Sequence, residues 1–259
     1  MADGRGRCDN SGVLHRFFAP SLDPGDELVD LSRDESEHLK RVLRIGVGDT
    51  VAVFDGRGHE YLAKVASAER RDVRLQILSP IEAAAESTIH LTLVQAVLKG
   101  DKMDDVVRDS VMLGVSAIQP IVTRRTEVTV AALMRGARVE RWRRVALASA
   151  KHSRRAVLPE IQMPMTFETW LAEPPADERL LFVEPGIDGA ERLSNIRNVR
   201  IPLSAACAIG PEGGWHPEEV THARAAGVRL VSLGGRTLRA DAVPIAALAV
   251  LQFLWDQSC

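Results

Sequence analysis

No stretch of this chain is apolar for long enough to cross a bilayer. The longest strongly apolar run, Ile245 to Trp255, falls well short of the ~20 residues that a spanning helix needs, so no membrane partner is expected. The opening MADGRGRCDNSG has no apolar h-region, and residues 1–12 read as a frayed tail rather than a secretion signal. Cysteine is scarce, and Cys8, Cys207 and Cys259 stand far apart without metal-ligand spacing. Three free thiols in a reducing cytoplasm are the expectation. His15, His38 and His152 show no metal spacing either, so no metal is expected. A basic excess is also missing: the formal net charge is −2, and global charge does not announce nucleic acid. Repeats and low-complexity tracts are absent.

What is present is ordinary globular material, with 259 residues, 46% hydrophobic and 26% charged, enough for one large or two modest domains. Local charge is more telling than the total. Between Arg135 and Arg155 eight basic residues face Glu140 alone. Arginine outnumbers lysine 28 to 5, which suits phosphate because the planar guanidinium engages two oxygens at once. For the overall ratio, codon bias in a GC-rich genome is the better explanation. For the local cluster the reading is a phosphate-facing surface.

The first third reads as mostly β. Residues 16–19 and 27–31 are short strands, and Ser32 opens a helix, with Glu35 completing a capping box and Gly46 stopping it. Strand-like runs follow at 50–54, 60–66 and 72–78, the first two joined by the DGRG turn at 55–58. That spacing predicts a small barrel. Pro80 and residues 81–87 read as a linker. From Ile89 onward strands (89–94, 117–122, 180–183, 205–209, 230–233) alternate with helices (102–113, 217–226, 245–255), the rhythm of a mostly parallel sheet covered by helices. Val139, Trp142, Ala146 and Ala150 keep helical spacing on one face and leave Arg141, Arg143 and Arg144 to the others. The domains expected are a tail at 1–12, a β-barrel at 13–82 and an α/β domain at 83–259.

Two glycine-rich turns follow two apolar strands. AIGPEGGW (208–215) precedes the helix that begins PEEV, and SLGGRTLRADAVP (232–244) precedes the last helix. Glycine there lets backbone approach a ligand closely and exposes N–H groups, and ligands of open α/β sheets bind beyond the carboxyl ends of strands. Taken singly, each turn is equally well a tight helix entry. At the ends of consecutive strands, the two together argue for one pocket. Neither is GxGxxG, and no GK[ST] follows either, which disfavours dinucleotide and P-loop folds.

These turns, with HRFF (15–18), HLKRVLRIGVGD (38–49), the run QAVLKGDKMDDVVRDSVMLGVSAIQPIVTRR (95–125), RW (141–142) and LPEI (158–161), closely resemble the SPOUT superfamily. Within it the resemblance is to the RsmE family, which methylates N3 of a uridine in 16S ribosomal RNA, and it covers nearly the whole chain. It implies a C-terminal trefoil-knotted α/β methyltransferase domain holding S-adenosylmethionine, a PUA-like N-terminal barrel that grips RNA, a homodimer, and a substrate within the small ribosomal subunit. Ile245 to Trp255, apolar nearly all round, must be buried on every side, by a subunit interface or by a deep core. Three departures stand out. KHSRR (151–155) replaces a glutamate-glutamine-serine-glycine-arginine run, RADAVP (239–244) replaces an arginine-threonine-glutamate-threonine-alanine-proline loop, and His216 stands where serine is more usual.

Carried onto this sequence, the resemblance assigns the cofactor to Val183, Glu184, Ile209, Gly210, Gly213, Gly214, Leu233, Gly234 and Leu238. Arg239 is the expected stabiliser of negative charge on the uracil. Asp241 or Glu212 is the expected proton acceptor; Asp241 equally well caps the last helix, and for Glu212 capping nearby backbone N–H groups is the favoured reading. RNA falls to Arg16, Lys99, Lys102, Arg124, Arg125, Arg154 and Arg155, with Phe17 or Phe18 either stacking on a base or filling the barrel core. Three other readings stay open: a SPOUT enzyme acting on a ribose 2′-hydroxyl or another base, a non-catalytic RNA-binding or ribosome-assembly protein, and, least favoured, a nucleotide-using oxidoreductase.

Overall fold

A computed structural model describes residues 14–69, 72–196 and 201–255. The chain forms two compact units. One comprises the described residues up to Ala85 together with Ala150–Leu158, and the other comprises Glu86–Ser149 and the described residues from Pro159 on. Cys8, Cys259 and the tail at 1–12 lie outside the described residues.

The first unit is built on a five-stranded sheet, β1 (Arg16–Phe18), β2 (Leu28–Asp30), β3 (Thr50–Phe54), β4 (Glu60–Ala68) and β5 (Val73–Ile81), in the order β1-β3-β4-β5-β2. Alternation places Val51, Val53, Ala63, Val65, Val73 and Leu75 on one core with Phe17, Leu22 and Leu39. Register shifts along the β4–β5 pair add twist and curl the sheet. Phe17 is fully buried, so the core reading holds for it. Strand β5 runs through Pro80, opposite Tyr61, where a linker was expected. Strand β2 pairs only with Arg74–Gln76, so at Pro80 the strand has a paired neighbour on one side only, the edge setting in which proline is tolerated.

Helix α1 (Arg33–Glu37) starts as the sequence suggests, with the Ser32 side chain accepting the Glu35 N–H. The capping box is only half made, because the Glu35 carboxylate turns away to take the Phe18 N–H at 3.4 Å and the Lys151 ammonium. Gly46 does not stop the helix. A wider turn at His38–Val42 ends it, and Arg44 takes the left-handed conformation at φ 56.

Arg16 requires the plainest correction. Its side chain is 8% exposed, and all five of its N–H donors are engaged. Glu60 takes two at 2.7 and 3.0 Å, and the carbonyls of Ala150, Lys151 and Arg155 take the others at 3.0, 2.9 and 3.1 Å. The guanidinium also lies 4.7 Å over the Phe54 ring. It is a buried tie that fastens residues 150–155 to the barrel, with no donor left for RNA. Arg155, 5% exposed, is no surface residue either.

The second unit is a parallel sheet. Its strands are β6 (His90–Ala96), β7 (Ala117–Val122), β8 (Glu160–Ile161), β9 (Met165–Thr166), β10 (Glu178–Phe182), β11 (Glu191–Arg192), β12 (Ser204–Ile209) and β13 (Arg229–Ser232). They run β11-β13-β10-β12-β6-β7-β8, with β9 also pairing β7. The helices are α2 (Lys102–Met112), α3 (Val130–Arg135), α4 (Arg138–His152, its last three residues counted with the first unit), α5 (Phe167–Ala172), α6 (Pro217–Ala225) and α7 (Val243–Trp255). One sheet face packs Val94, Leu181 and Ala208 against Phe167, Trp170, Trp215 and Ala223. Helix α7 packs against α2 and β12. Cys207 is a free thiol in β12, and burial pushes its pKa up to about 12, so it is inert at neutral pH.

Along α4 the apolar positions Val139, Trp142, Ala146 and Ala150 are buried and Arg141, Arg143 and Arg144 are exposed, as their spacing requires. The phosphate-facing cluster is nevertheless smaller than the sequence suggests. Arg141 is paired with Asp101 and Asp104, and Arg143 with Glu140. Helix α7 buries Ala247, Leu248, Leu251 and Trp255 but exposes Ile245, Val250, Leu254 and above all Phe253, at 87%. The deep-core alternative for this helix is therefore excluded.

Candidate functional site

Strand β10 precedes both β12 and β13 in the chain yet lies between them. All three run parallel, so the segments leaving them emerge side by side at one edge of the sheet. Those segments are 183–190, 210–216 and 233–242, and residues of all three line a single cleft.

The turn after β12 is fixed by its glycines and one tryptophan. Gly214 is left-handed at φ 67, and its N–H reaches the Pro211 carbonyl at 2.9 Å. A Cβ on Gly210 would stand 3.2 Å from the Trp215 ring, so glycine permits the ring to close down on the turn. The Trp215 indole then donates to the Phe182 carbonyl at 2.8 Å, which ties the turn to the end of β10. On the outer side Arg125 donates to the Gly213 carbonyl at 2.6 Å. His216 caps α6 in full: Nδ1 accepts the Glu218 N–H at 3.3 Å, and the His216 N–H meets Glu219 at 2.8 Å. Histidine does here what serine does elsewhere.

Phe182, Val183, Ile209, Leu233 and Leu238 give the cleft apolar walls, and Gly210, Gly214 and Glu184 also line it. Gly213 and Gly234 sit in the same turns but off the lining. The sequence reading missed Phe182, Pro185, Arg236 and Thr237, all of which line the cleft; Phe182 had a signal, as the last residue of an apolar strand. Lys102, expected on RNA, is part of the cleft wall.

Charges converge on this cleft. Glu212 Oε1 accepts from the Lys99 N–H and the Lys102 ammonium, each at 3.1 Å. Burial alone would raise the Glu212 pKa, but its own backbone N–H, Lys102 and the Lys99 N–H hold it below the ordinary carboxylate range. Glu212 is thus a weak base and a firm strut, and the backbone group it caps lies 113 residues away in the chain. At the mouth, Arg239 grips Asp241 through two bonds of 3.0 and 2.7 Å while staying 74% exposed. Burial pushes the Asp241 pKa up, yet Arg239 and its own backbone N–H bring it below the usual value. Asp241 precedes the first residue of α7 by two and spends its carboxylate on Arg239 rather than on a helix cap. Glu184 is exposed and has no ion-pair partner among the described residues. Apolar walls with one uncommitted carboxylate and two neutralised ones fit an adenosine bearing a sulfonium cation better than they fit a polyphosphate.

The remaining residues expected on RNA are divided between the units. Arg124 and Arg125 are exposed beside the 210–216 turn, Arg124 pairing with Glu218. Lys99 is exposed and paired with Glu127 at 2.6 Å, and Arg154 is exposed in the first unit, left-handed at φ 61.

Residues 85–252 match the family model described as an RNA methyltransferase domain, and residues 31–78 match an RNA methyltransferase PUA domain. A ribosomal RNA small subunit methyltransferase E from Synechocystis is 31% identical over 88% of this chain and 74% of its own length. One of the same name from Aquifex aeolicus is 26% identical over 92% of this chain and 99% of its own. A crystal structure of a ribosomal RNA small subunit methyltransferase E from Neisseria gonorrhoeae, bound to S-adenosyl methionine, superposes with a TM-score of 0.85 at 31% identity. It covers 95% of this chain and 100% of that one.

The Glu212 strut has a pH signature. A carboxyl whose pKa is lowered by folding adds stability above its unfolded pKa and loses it as pH falls through the folded one. Glu212→Gln is therefore expected to melt below the parent at neutral pH, with the gap closing once acid passes below the ordinary carboxylate range. Thermal melts across that range check it, and a gap that persists in strong acid contradicts the assignment.

Proposed function

The chain belongs to the RNA methyltransferase family whose members include the ribosomal RNA small subunit methyltransferases E, and we propose that it methylates N3 of a uridine in 16S ribosomal RNA. It is an S-adenosylmethionine-dependent methyltransferase. The observation that carries the reading is the one cleft shared by three strand-end segments, with an argininium–carboxylate pair at its mouth. When bound, the cofactor supplies a methyl group made electrophilic by its sulfonium.

The rest falls to this chain's own residues. Val183, Ile209, Leu233 and Leu238 hold the adenosine between apolar walls, and Glu184 takes the ribose hydroxyls. The glycine turns bring their backbone close, Gly210 and Gly214 from the lining itself, with Gly213 and Gly234 shaping the turns from behind it. Holding the two reactants at near-attack distance supplies roughly 7–11 kcal/mol. N3 of uridine carries a proton at neutral pH, so charge must be managed at that atom. Arg239 still has three N–H donors beyond its pair with Asp241 and offers them to the uracil oxygens, which lowers the cost of removing the N3 proton. Asp241, ionised and adjacent, accepts that proton directly or through water. Glu212, pinned by Lys102 and Lys99, positions the turn and does not move a proton.

RNA approaches over exposed cations, Lys99, Arg124, Arg125 and Arg154, with Lys102 inside the cleft. The small ribosomal subunit is the proposed substrate and the cytoplasm the proposed compartment. The trefoil threading belongs to the same proposal, supported by the placement of β10 between two later strands. So does a homodimer, supported by the apolar stripe of α7, since a contiguous exposed apolar surface marks an interface.

Two outcomes are expected. Methyl transfer to small subunits from a strain lacking the modification yields N3-methyluridine on nucleoside mass analysis, and Arg239→Ala and Asp241→Ala each slow it at least tenfold, about 1.4 kcal/mol. A methyl group on ribose, or unimpaired variants, overturns the assignment. Sedimentation is expected to show a dimer that Phe253→Asp converts to monomer; a monomeric parent contradicts the interface.

A further inference from the structure

A second cavity, of about 390 Å³, lies in the α/β unit under α5. Its floor is a row of registered neighbours, Arg179 of β10, Ala206 of β12 and Thr92 of β6. Arg179 lies four residues before Val183, roughly 13 Å along a strand, so this cavity is separate from the cofactor cleft. Arg179 is 8% exposed. Its guanidinium lies 4.1 Å over the Trp170 ring and donates to the Trp170 and Leu171 carbonyls at 2.9 and 3.3 Å. Those two bonds account for two of its five N–H donors. No carboxylate among the described residues pairs with it; Glu173, on the cavity rim, is exposed. Burial alone lowers its pKa, with no acidic group opposing.

A buried cation without an anion is costly. The carbonyls at the end of α5 meet part of that cost through their partial negative charge, but they leave most of the fork open. We propose that this cavity is a second ligand site, taking a small organic carboxylate in the fork of Arg179. One fixed positive charge, with Glu173 at the rim, selects a monoanion over a phosphate dianion. The planar fork matches a carboxylate in two-point contact. Met163, Met165 and Pro174 provide an apolar wall for the body of such a molecule. The depth of Arg179 disfavours an RNA phosphodiester, whose sugars would have to enter too.

Calorimetry on the full chain tests this with hexanoate, hexanamide and dimethyl phosphate. Hexanoate is expected to bind in the millimolar range, with the neutral amide and the phosphodiester each at least about tenfold weaker. Arg179→Met is expected to abolish hexanoate binding while S-adenosylmethionine still binds, which separates this site from the methyl-donor cleft. Should Arg179→Met fail to fold, Gln162→Glu, placing a carboxylate in the half-exposed wall, is expected to displace hexanoate. The proposal is overturned by no heat at millimolar hexanoate, by equal binding of acid and amide, by binding that survives both variants, or by dimethyl phosphate outcompeting hexanoate.

Discussion

A parallel ladder sends every segment that follows its strands out over the same edge, and this constraint organises the whole α/β unit. Because β10 lies between β12 and β13, three segments far apart in sequence become neighbours without any dedicated scaffold. Trp215 closes the arrangement. Its ring packs on Gly210 and its indole N–H holds the Phe182 carbonyl, so the turn after one strand is fixed to the end of the next. A side chain on Gly210 would push that ring away.

Charge in the cleft follows from the same geometry. Each carboxylate lining the cleft is matched with a cation, Glu212 with Lys102 and Asp241 with Arg239, except Glu184. Both pairs hold their carboxylates ionised, which suits a reaction whose leaving group needs no protonation. The pair at the mouth is the exposed one, which on the proposed mechanism keeps Arg239 available to an incoming base. The Glu212 pair is the more enclosed of the two and serves the shape of the site.

Much of this was legible in the residues, and for physical reasons. Two glycine-rich turns after apolar strands mark close backbone approach whatever the fold, and the four-residue rhythm of Val139, Trp142, Ala146 and Ala150 marks a buried helix face. What escaped was non-local or short. Helices α3 and α5 have six residues each, under two turns, too few to show a period. Arg16 resembled a phosphate ligand because its acceptors, Glu60 and three carbonyls beyond residue 149, come from distant parts of the chain. The placement of β10 between two later strands is invisible to any window. Glu35 half-obeyed its local motif because Phe18 and Lys151 offered it better partners.

Hydrogen–deuterium exchange with and without S-adenosylmethionine tests the shared cleft most directly. Protection rising together in residues 183–190, 210–216 and 233–242, with the remaining strand-end segments unchanged, is the result predicted. Protection confined to one of the three, or appearing on other loops, would contradict the account.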